Sequence, residues 1–538
     1  MREFTANKTT NRNINFFITG ILVKIQHNNY FYTLNTFELS GIKKLAGQTL
    51  WYGLPTIASR FLGYLMNLSL PLIFAHPAKT ADLTQVYAII PFLNVLFTYG
   101  LETAYFRFSQ EGDKQKLYNT LSLSLFFSTI FFSIILWLMQ GPIAEWASLQ
   151  EHPEYIRWMA GIIFFDTIST LAFAKLRQEN RPRKYAFARL SSVVMNIVIV
   201  IVFLGILPSY LSNHPDSSLH QYYSGTEDGI IYYLIGNFLG SVLTFTLLQK
   251  EFRGIRFEFD KELWKKIMRY SYPLVIVGMG GIVNDMLSRL IYQHVVDLPH
   301  LQAKKELAVF ANIIRLAIVI TISIQAFRMA AEPFFFNRSK EDNVQNTYAR
   351  VMKFFVLVCS LLFLAIGLYI DVVKWFFIAI NRSEWTEGLY VVPLFAMANI
   401  FLGIYYNLSI WYKLTNKNMM GATITLLGAA ITIGLNILLI PILHYWGAAL
   451  ASFGCYLFMM ITSYLQGQKH YPVPYDVKKI LGYLGLAVLL FLSHRLIVEF
   501  TDSKLFNLGT ATVLFVGYLA IIAKVEKKEL SSLPFFRK

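Results

Sequence analysis

Long apolar stretches alternate with short polar stretches along most of the chain. Fourteen of the apolar stretches are about 20 residues or longer, which is the length that an α-helix needs to cross the hydrocarbon core of a bilayer. They lie at 46–75, 83–109, 117–140, 154–176, 185–208, 229–249, 265–293, 306–337, 347–370, 386–412, 419–440, 444–466, 479–500 and 505–524. The pattern predicts an all-α polytopic membrane protein with 14 transmembrane helices, numbered here as spans one to fourteen. Pro91 and Pro333 predict kinks in spans two and eight.

The positively charged residues support this assignment by their alternation along the chain. With the N-terminus placed in the cytoplasm, the eight inner segments hold 36 Lys and Arg residues, and the seven outer loops hold 7. Cytoplasmic loops of membrane proteins carry an excess of these residues. We therefore predict that both termini are cytoplasmic.

A weak internal repeat relates the two halves of the chain. Trp51-Tyr-Gly-Leu-Pro55 opens span one much as Arg269-Tyr-Ser-Tyr-Pro273 opens span seven. An even number of spans separates the copies, so both have the same orientation, and we predict two parallel six-helix bundles around a central cavity. The predicted divisions are a cytoplasmic N-terminal segment at 1–45, a first bundle at 46–249, a cytoplasmic linker with an interfacial helix capped by Asp260 at 250–264, a second bundle at 265–466, and spans thirteen and fourteen with a cytoplasmic C-terminus at 467–538.

Composition excludes several classes of protein. The 538 residues are 55% hydrophobic and 15% charged, whereas soluble chains are about 25% charged. The net charge of +16 therefore reflects the basic loops, and no nucleic acid is expected as a partner. The longest outer loop is 209–228, and no Gly-rich phosphate loop is present, which argues against a glycan polymerase and against ATP-driven transport. Cys359 and Cys455 lie in apolar runs and are predicted to be packed thiols, so we expect no metal site or cofactor.

Charged side chains inside the spans are the candidates for function. Each would cost about 3 kcal/mol if it faced lipid, so they must face one another or a water-filled cavity. Spans one, two, seven and eight hold seven of the eight, which favours an aqueous passage between the two bundles. The eight residues are Arg60, Glu102, Asp166, Asp285, Arg289, Arg315, Arg328 and Glu332.

The spacing of these charges leaves two interpretations open. Asp285–Arg289 and Arg328–Glu332 are spaced i,i+4, so each pair either satisfies itself along one helix face or contacts a ligand. Arg60 and Arg315 have no acidic residue at such a spacing and are the first candidates for ligand contact.

Arginine chemistry indicates the type of ligand. A guanidinium group stays charged and binds phosphate or carboxylate through two parallel hydrogen bonds. Arg60, Arg289, Arg315 and Arg328 are therefore predicted to bind an anionic head group such as a lipid diphosphate. The four acidic residues would tune the cavity, bind Na⁺ or H⁺ to drive the cycle, or pair with neighbouring bases; they are Glu102, Asp166, Asp285 and Glu332.

Two motifs resemble the bacterial polysaccharide-biosynthesis flippases of the multidrug/oligosaccharidyl-lipid/polysaccharide exporter superfamily. Gly100-Leu-Glu-Thr-Ala-Tyr-Phe-Arg-Phe108 ends span two, and Phe259-Asp-Lys-Glu-Leu-Trp-Lys-Lys-Ile-Met-Arg-Tyr-Ser-Tyr-Pro273 leads into span seven. Many relatives carry Asp-Arg later in span seven, where this chain has Ser288-Arg289 and so keeps only the arginine. The resemblance implies two six-helix bundles that alternate between inward-open and outward-open states. It also implies transport of undecaprenyl-diphosphate-linked oligosaccharide across the bacterial inner membrane.

The favoured hypothesis is therefore a flippase for surface polysaccharide such as lipopolysaccharide, and not an enzyme. Its expected partners are the lipid-linked oligosaccharide, membrane lipids, Na⁺ or H⁺, and other polysaccharide-assembly membrane proteins. One alternative is a multidrug or cation antiporter of the same superfamily, for which fewer helices and a more acidic cavity are expected. The other is a membrane glycan polymerase or ligase, which the short outer loops disfavour.

Overall fold

The computed structural model describes residues 58, 61–66, 68–109, 112–179, 181–223, 225, 229–337, 344–501 and 503–527. Trp51–Lys538 forms one compact unit, and every regular element in its described part is a helix. The predicted segment 1–45 and Arg60 lie outside the described residues.

Fifteen helices are labelled here in chain order. They are α1 Leu70–Ile73, α2 Ala81–Thr98, α3 Leu101–Phe108, α4 Lys114–Leu138, α5 Glu154–Gln178, α6 Pro182–Ile201, α7 Ile230–Leu247, α8 Lys261–Val295, α9 His300–Leu316, α10 Ile318–Asn337, α11 Val344–Leu368, α12 Val392–Leu408, α13 Asn418–His470, α14 Val477–Glu499 and α15 Lys504–Val525. Shorter helical pieces cover Pro77–Thr80, Gln140–Trp146, Val202–Ile206, Leu207–Asn213, Ser218–Tyr222, Gln249–Phe252, Ile370–Ala379, Ser383–Thr386, Leu389–Val391 and Ile410–Leu414.

The described helices form many candidate membrane spans. Eleven are long and apolar enough to cross a bilayer, and α9 with α10, which meet at a bend of 48°, make up to twelve. A shorter apolar helix covers Phe61–Ile73, and α13 consists of two helices merged across His444. The chain is a multi-pass membrane protein, and the predicted total of fourteen spans stays a prediction.

Local backbone chemistry places the helix ends. Asp260 accepts hydrogen bonds from the backbone N–H groups of Glu262 and Leu263, both at 2.9 Å, and so caps α8 as predicted. The predicted short interfacial helix after Asp260 is not a separate element, because α8 continues without a break to Val295. No glycine or proline occurs between Asp260 and Pro273, so nothing in the sequence ends the helix after the capped turn.

Breaks within spans occur where the backbone becomes left-handed. Tyr99 and Gly100 have φ values of 31° and 76° and separate α2 from α3. Pro91 lies inside α2, so the break in span two falls two turns after the proline that predicted a kink. His444, with φ of 54°, breaks α13 in the same way.

Helix packing follows the two halves of the chain. In the first half α7 packs against α6 and α5, and in the second half α12 packs against α13, and α11 against α14. Helix α8 contacts both halves, with α2 on one side and α13 on the other. We keep the names first bundle and second bundle for residues 46–249 and 265–466, whose boundaries stay predictions.

The outside of the molecule is apolar and the thiols are inside. Phe131, Leu438 and Ile442 are exposed by 60%, 64% and 73%, as expected of side chains that face lipid. Cys359 and Cys455 are both buried free thiols, which confirms the prediction that they are packed.

Candidate functional site

Arg315 lies in the last turn of α9, at the contact between the two bundles. Its side chain is 8% exposed, and its Nη2 donates a hydrogen bond of 3.3 Å to Thr84 Oγ1 on α2. Its Nη1 has no hydrogen-bond partner among the described residues. A buried guanidinium with an unused donor is costly, so this position favours an anionic ligand.

Arg289 and Asp285 lie one turn apart on α8 and are in contact. Arg289 Nη2 is 2.9 Å from the Asp285 backbone oxygen and 3.7 Å from its carboxylate Oδ1. The internal pairing foreseen from the i,i+4 spacing is therefore present, but the Asp285 side chain stays 61% exposed. Arg289 is also within electrostatic reach of Arg315. Two guanidinium groups held near each other repel, and an anion between them would relieve that repulsion.

Arg328 lies on α10 and is exposed. Its guanidinium carbon is 4.6 Å from the ring centroid of Tyr406, which is a cation–π contact. Arg328 and Tyr406 line a small cavity of about 20 Å³. The side chain of Glu332 lies outside the described residues.

Glu102 and Asp166 lie in a different place from these arginines. Both line a cavity of about 650 Å³ inside the first bundle, between α2, α3, α5, α6 and α7, which we call the first-bundle cavity. Glu102 forms an ion pair with Arg177. Arg189 also lines the cavity, and its guanidinium carbon is 4.4 Å from the ring centroid of Phe173. Arg177 lies near the end of α5 and Arg189 lies in α6.

An amide chain crosses the deeper part of the first-bundle cavity. Asn196 Nδ2 donates to Asn237 Oδ1 at 2.6 Å, and Asn237 Nδ2 donates to the Tyr87 hydroxyl. Asn196 is 5% exposed, and its Oδ1 has no hydrogen-bond partner among the described residues. Polar residues inside membrane helices pair with one another in this way, and sequence reasoning missed them because uncharged amides barely alter the apolar pattern.

A buried cation joins the bundles at the predicted outer side. Lys304 Nζ lies 2.8 Å from Glu151 Oε2 and 3.2 Å from Asp82 Oδ1. Lys304 belongs to the second bundle, and both acidic residues belong to the first. We call these three residues the outer clamp. The hydrogen bond from Lys304 and its positive charge lower the pKa of Glu151 below its usual range.

A groove of about 620 Å³ separates α10 from α11. Phe327, Phe354 and Val358 line it, Arg350 lies towards the start of α11, and Val358 is 49% exposed. Phe327 also lines the small cavity of Arg328 on the other face of α10. An apolar chain in this groove would therefore be separated from the Arg328 cavity by the side chain of Phe327.

The fold defines a class of protein: multi-pass helical membrane proteins. Residues 45–339 match the model of the family described as polysaccharide biosynthesis protein. This match covers more than half of the chain, so the chain belongs to that family.

Solved structures show the same fold. The lipid II flippase MurJ in an inward closed conformation is 14% identical with a TM-score of 0.65, over 88% of this chain and 98% of that chain. An inward-facing multidrug resistance MATE family transporter of the MOP superfamily is 12% identical with a TM-score of 0.57, over 78% of this chain and 94% of that chain. At these identities the similarity shows the fold alone. None of the curated proteins matches the chain.

Proposed function

We propose that this protein moves an oligosaccharide linked to undecaprenyl diphosphate across the bacterial inner membrane. The observation that carries the proposal is the guanidinium of Arg315, which is buried between the bundles with an unused donor and within electrostatic reach of Arg289. A diphosphate supplies the oxygens and the negative charge that such a pair needs. Membership of the polysaccharide biosynthesis family supports a glycan as the rest of the cargo.

Each candidate residue has a role in this proposal. Arg289, Arg315 and Arg328 bind the diphosphate together with Arg60, and Asp285 and Glu332 adjust the charge around them. The lipid chain remains in the bilayer and lies along the apolar groove between α10 and α11. No bond is made or broken, so the protein acts as a carrier and not as an enzyme.

Transport would proceed by alternating access of the two bundles with both termini in the cytoplasm. Glu102 or Asp166 would couple the cycle to Na⁺ or H⁺. The fold shared with the MATE transporter makes a multidrug or cation antiporter the second candidate. A site that presents Arg289 and Arg315 to its ligand disfavours a cation, because like charges repel in a medium of low dielectric constant.

Arg315→Gln tests the proposal. The probe is undecaprenyl diphosphate–N-acetylglucosamine in proteoliposomes, and the measurement is the rate at which its sugar becomes accessible to an enzyme in the opposite compartment. We expect Arg315→Gln and Arg289→Gln each to reduce the rate at least tenfold, because each removes a charge-assisted contact with the diphosphate.

Arg495→Gln is the matched control, since Arg495 is bound to Asp371 through a 2.7 Å ion pair away from the bundle interface. It should transport normally. Melting temperatures of all variants separate loss of transport from loss of folding. Normal transport by both Arg315→Gln and Arg289→Gln would contradict the proposal.

A further inference from the structure

The proposed diphosphate site, which we call the arginine site, consists of Arg289, Arg315 and Arg328 among the described residues. The first-bundle cavity differs from the arginine site in its charge. Among the described residues that line it, the acidic side chains of Glu102 and Asp166 are matched by the basic side chains of Arg177 and Arg189. The cavity is therefore formally neutral. A site for a free cation needs excess negative charge, and a site for diphosphate needs excess positive charge.

The same cavity is rich in groups that donate and accept hydrogen bonds. Hydroxyl and amide side chains extend the lining between the charged groups and Tyr87, namely Asn94, Thr98, Ser192, Asn196, Asn237 and Ser241. Hydroxyl and amide groups offer both donors and acceptors, and Asn196 Oδ1 is an unused acceptor that is buried. This inventory matches a ligand whose own surface alternates hydroxyl donors and acceptors.

Two aromatic rings form part of the cavity lining. Phe173 and Tyr185 line the cavity with their ring centroids 5.3 Å apart in an edge-to-face arrangement. The guanidinium of Arg189 lies over the Phe173 ring, so the two rings form an apolar part of the wall beside the polar groups. A volume of about 650 Å³ lies within the range of about 300–1,000 Å³ that is usual for small-molecule sites.

The first-bundle cavity adjoins the arginine site along α2. Tyr87 lines the cavity, and Thr84, one helical turn away, accepts the hydrogen bond from Arg315. Three residues of helix correspond to a rise of about 4.5 Å. The two sites therefore lie about one helical turn apart along α2.

We infer that the first-bundle cavity binds uncharged sugar units of the cargo while the arginines bind its diphosphate. This inference rests on the proposed function and adds to it the part of the protein that recognises the glycan. A cargo without sugar would leave the polar side chains of the cavity without hydrogen-bond partners. Because unpaired buried polar groups are costly, the protein should bind a glycosylated lipid more tightly than a bare one.

The test measures binding of two lipids to the full-length protein in nanodiscs. The probes are undecaprenyl diphosphate–N-acetylglucosamine and bare undecaprenyl diphosphate. We expect the wild type to prefer the glycosylated lipid about tenfold, as the loss of one or two well-made hydrogen bonds would predict. Tyr87→Phe and Asn237→Leu should abolish this preference and leave the affinity for the bare lipid unchanged.

Asn399→Leu is the matched control. Asn399 is a buried amide on α12, and among the described residues its Nδ2 donates a hydrogen bond to the Phe395 backbone oxygen one turn earlier in the same helix. It should keep the preference for the glycosylated lipid. Asp166→Asn, measured with and without Na⁺ and between pH 6 and 8, tests the cation alternative.

The outcomes separate the two proposals. If the cavity variants keep the preference, or lose affinity for both lipids equally, the cavity does not recognise sugar and the inference is overturned. It is also overturned if Asp166→Asn removes a Na⁺ or pH dependence while the preference is untouched. If the wild type binds neither lipid, the proposed function itself fails, whereas loss of bare-lipid binding only in Arg315→Gln keeps the proposed function intact.

Discussion

Glu526, directly after α15, shows how a buried carboxylate is held at the residue scale. It is 2% exposed and contacts Lys353 Nζ at 2.8 Å, Lys479 Nζ at 3.1 Å and the Tyr483 hydroxyl. Burial alone would raise its pKa, but the hydrogen bonds from Lys353, Tyr483 and Lys479 outweigh burial and lower the pKa to about 2. The cluster therefore ties α11 and α14 to the end of α15.

The pKa of Glu526 gives a prediction about stability and pH. A carboxyl group whose pKa falls on folding stabilises the fold above its unfolded pKa of about 4.3, and this contribution is lost as the pH falls towards 2. We expect Glu526→Gln to lower the free energy of unfolding at pH 7 by about 3 kcal/mol. The difference from wild type should shrink between pH 5 and 3, as measured by thermal melting in detergent. A difference independent of pH would contradict this account.

At the residue scale, the sequence identified which charged side chains lie within the spans, but not which residues from other helices they contact. The cost of burying an ion in the bilayer depends on its own position in a span, so Arg289 and Arg315 were identifiable as candidates, and the Asp285–Arg289 contact followed from helical spacing. The Glu102–Arg177 pair and the outer clamp join residues from separate helices. No local spacing predicts such contacts, because helix packing decides them.

At the scale of helices, small residues decide how closely α7 approaches α6. A Cβ atom at Gly240 would lie 2.6 Å from the Ser192 backbone oxygen, and one at Gly236 would lie 2.5 Å from Asn196 Oδ1. Glycines spaced four residues apart let membrane helices pack with their backbones in contact. This close approach places Ser192 and Asn196 in the first-bundle cavity.

Gly240→Ala should therefore separate the two helices. The new methyl group meets backbone rather than a flexible side chain, so we expect a loss of about 1–3 kcal/mol in unfolding free energy and a fall in transport. Unfolding by titration with a denaturing detergent measures the change. Gly434→Ala is the control, since nothing lies within 4 Å of a Cβ atom at that position of α13. Equal stability of Gly240→Ala and wild type would show that the helices yield without cost.

Some helix boundaries were predictable because they depend on local side-chain chemistry, and others were not because they depend on packing between helices. Asp260 caps α8 through its own side chain, which is a local property that the sequence reveals. The breaks at Tyr99 and His444 place non-glycine residues at positive φ, and tertiary packing must hold them there. The apolar pattern thus located the spans better than it located their interruptions.

For the whole molecule, contacts between the two bundles join them on the side that we predict to be the outer one. Besides the outer clamp, Gln85 Nε2 donates to the Leu290 backbone oxygen at 2.9 Å, and Trp385 Nε1 donates to the Phe74 backbone oxygen at 3.2 Å. The alternating access that we propose would require these contacts to break and reform in each cycle. A buried lysine shared by two carboxylates is a strong contact to break, so the outer clamp should favour the arrangement seen here.

Lys304→Met should weaken that preference, because it leaves Asp82 and Glu151 as neighbouring acids without a cation between them. The side-chain ends of Gln150 and His300 approach to 3.4 Å across the same contact, so the yield with which a short bismaleimide cross-links a Gln150→Cys/His300→Cys pair reports this contact between the bundles. We expect Lys304→Met to lower that yield at least twofold, and a membrane-impermeant thiol reagent to reach Thr84→Cys faster. Lys305→Met is the control, since Lys305 pairs with Glu387 within the second bundle at 2.7 Å and its loss should leave both readouts unchanged. An unaltered yield in Lys304→Met would mean that the apolar contacts around the outer clamp suffice to close the outer side, and that the ion pairs do not set the balance between the two states.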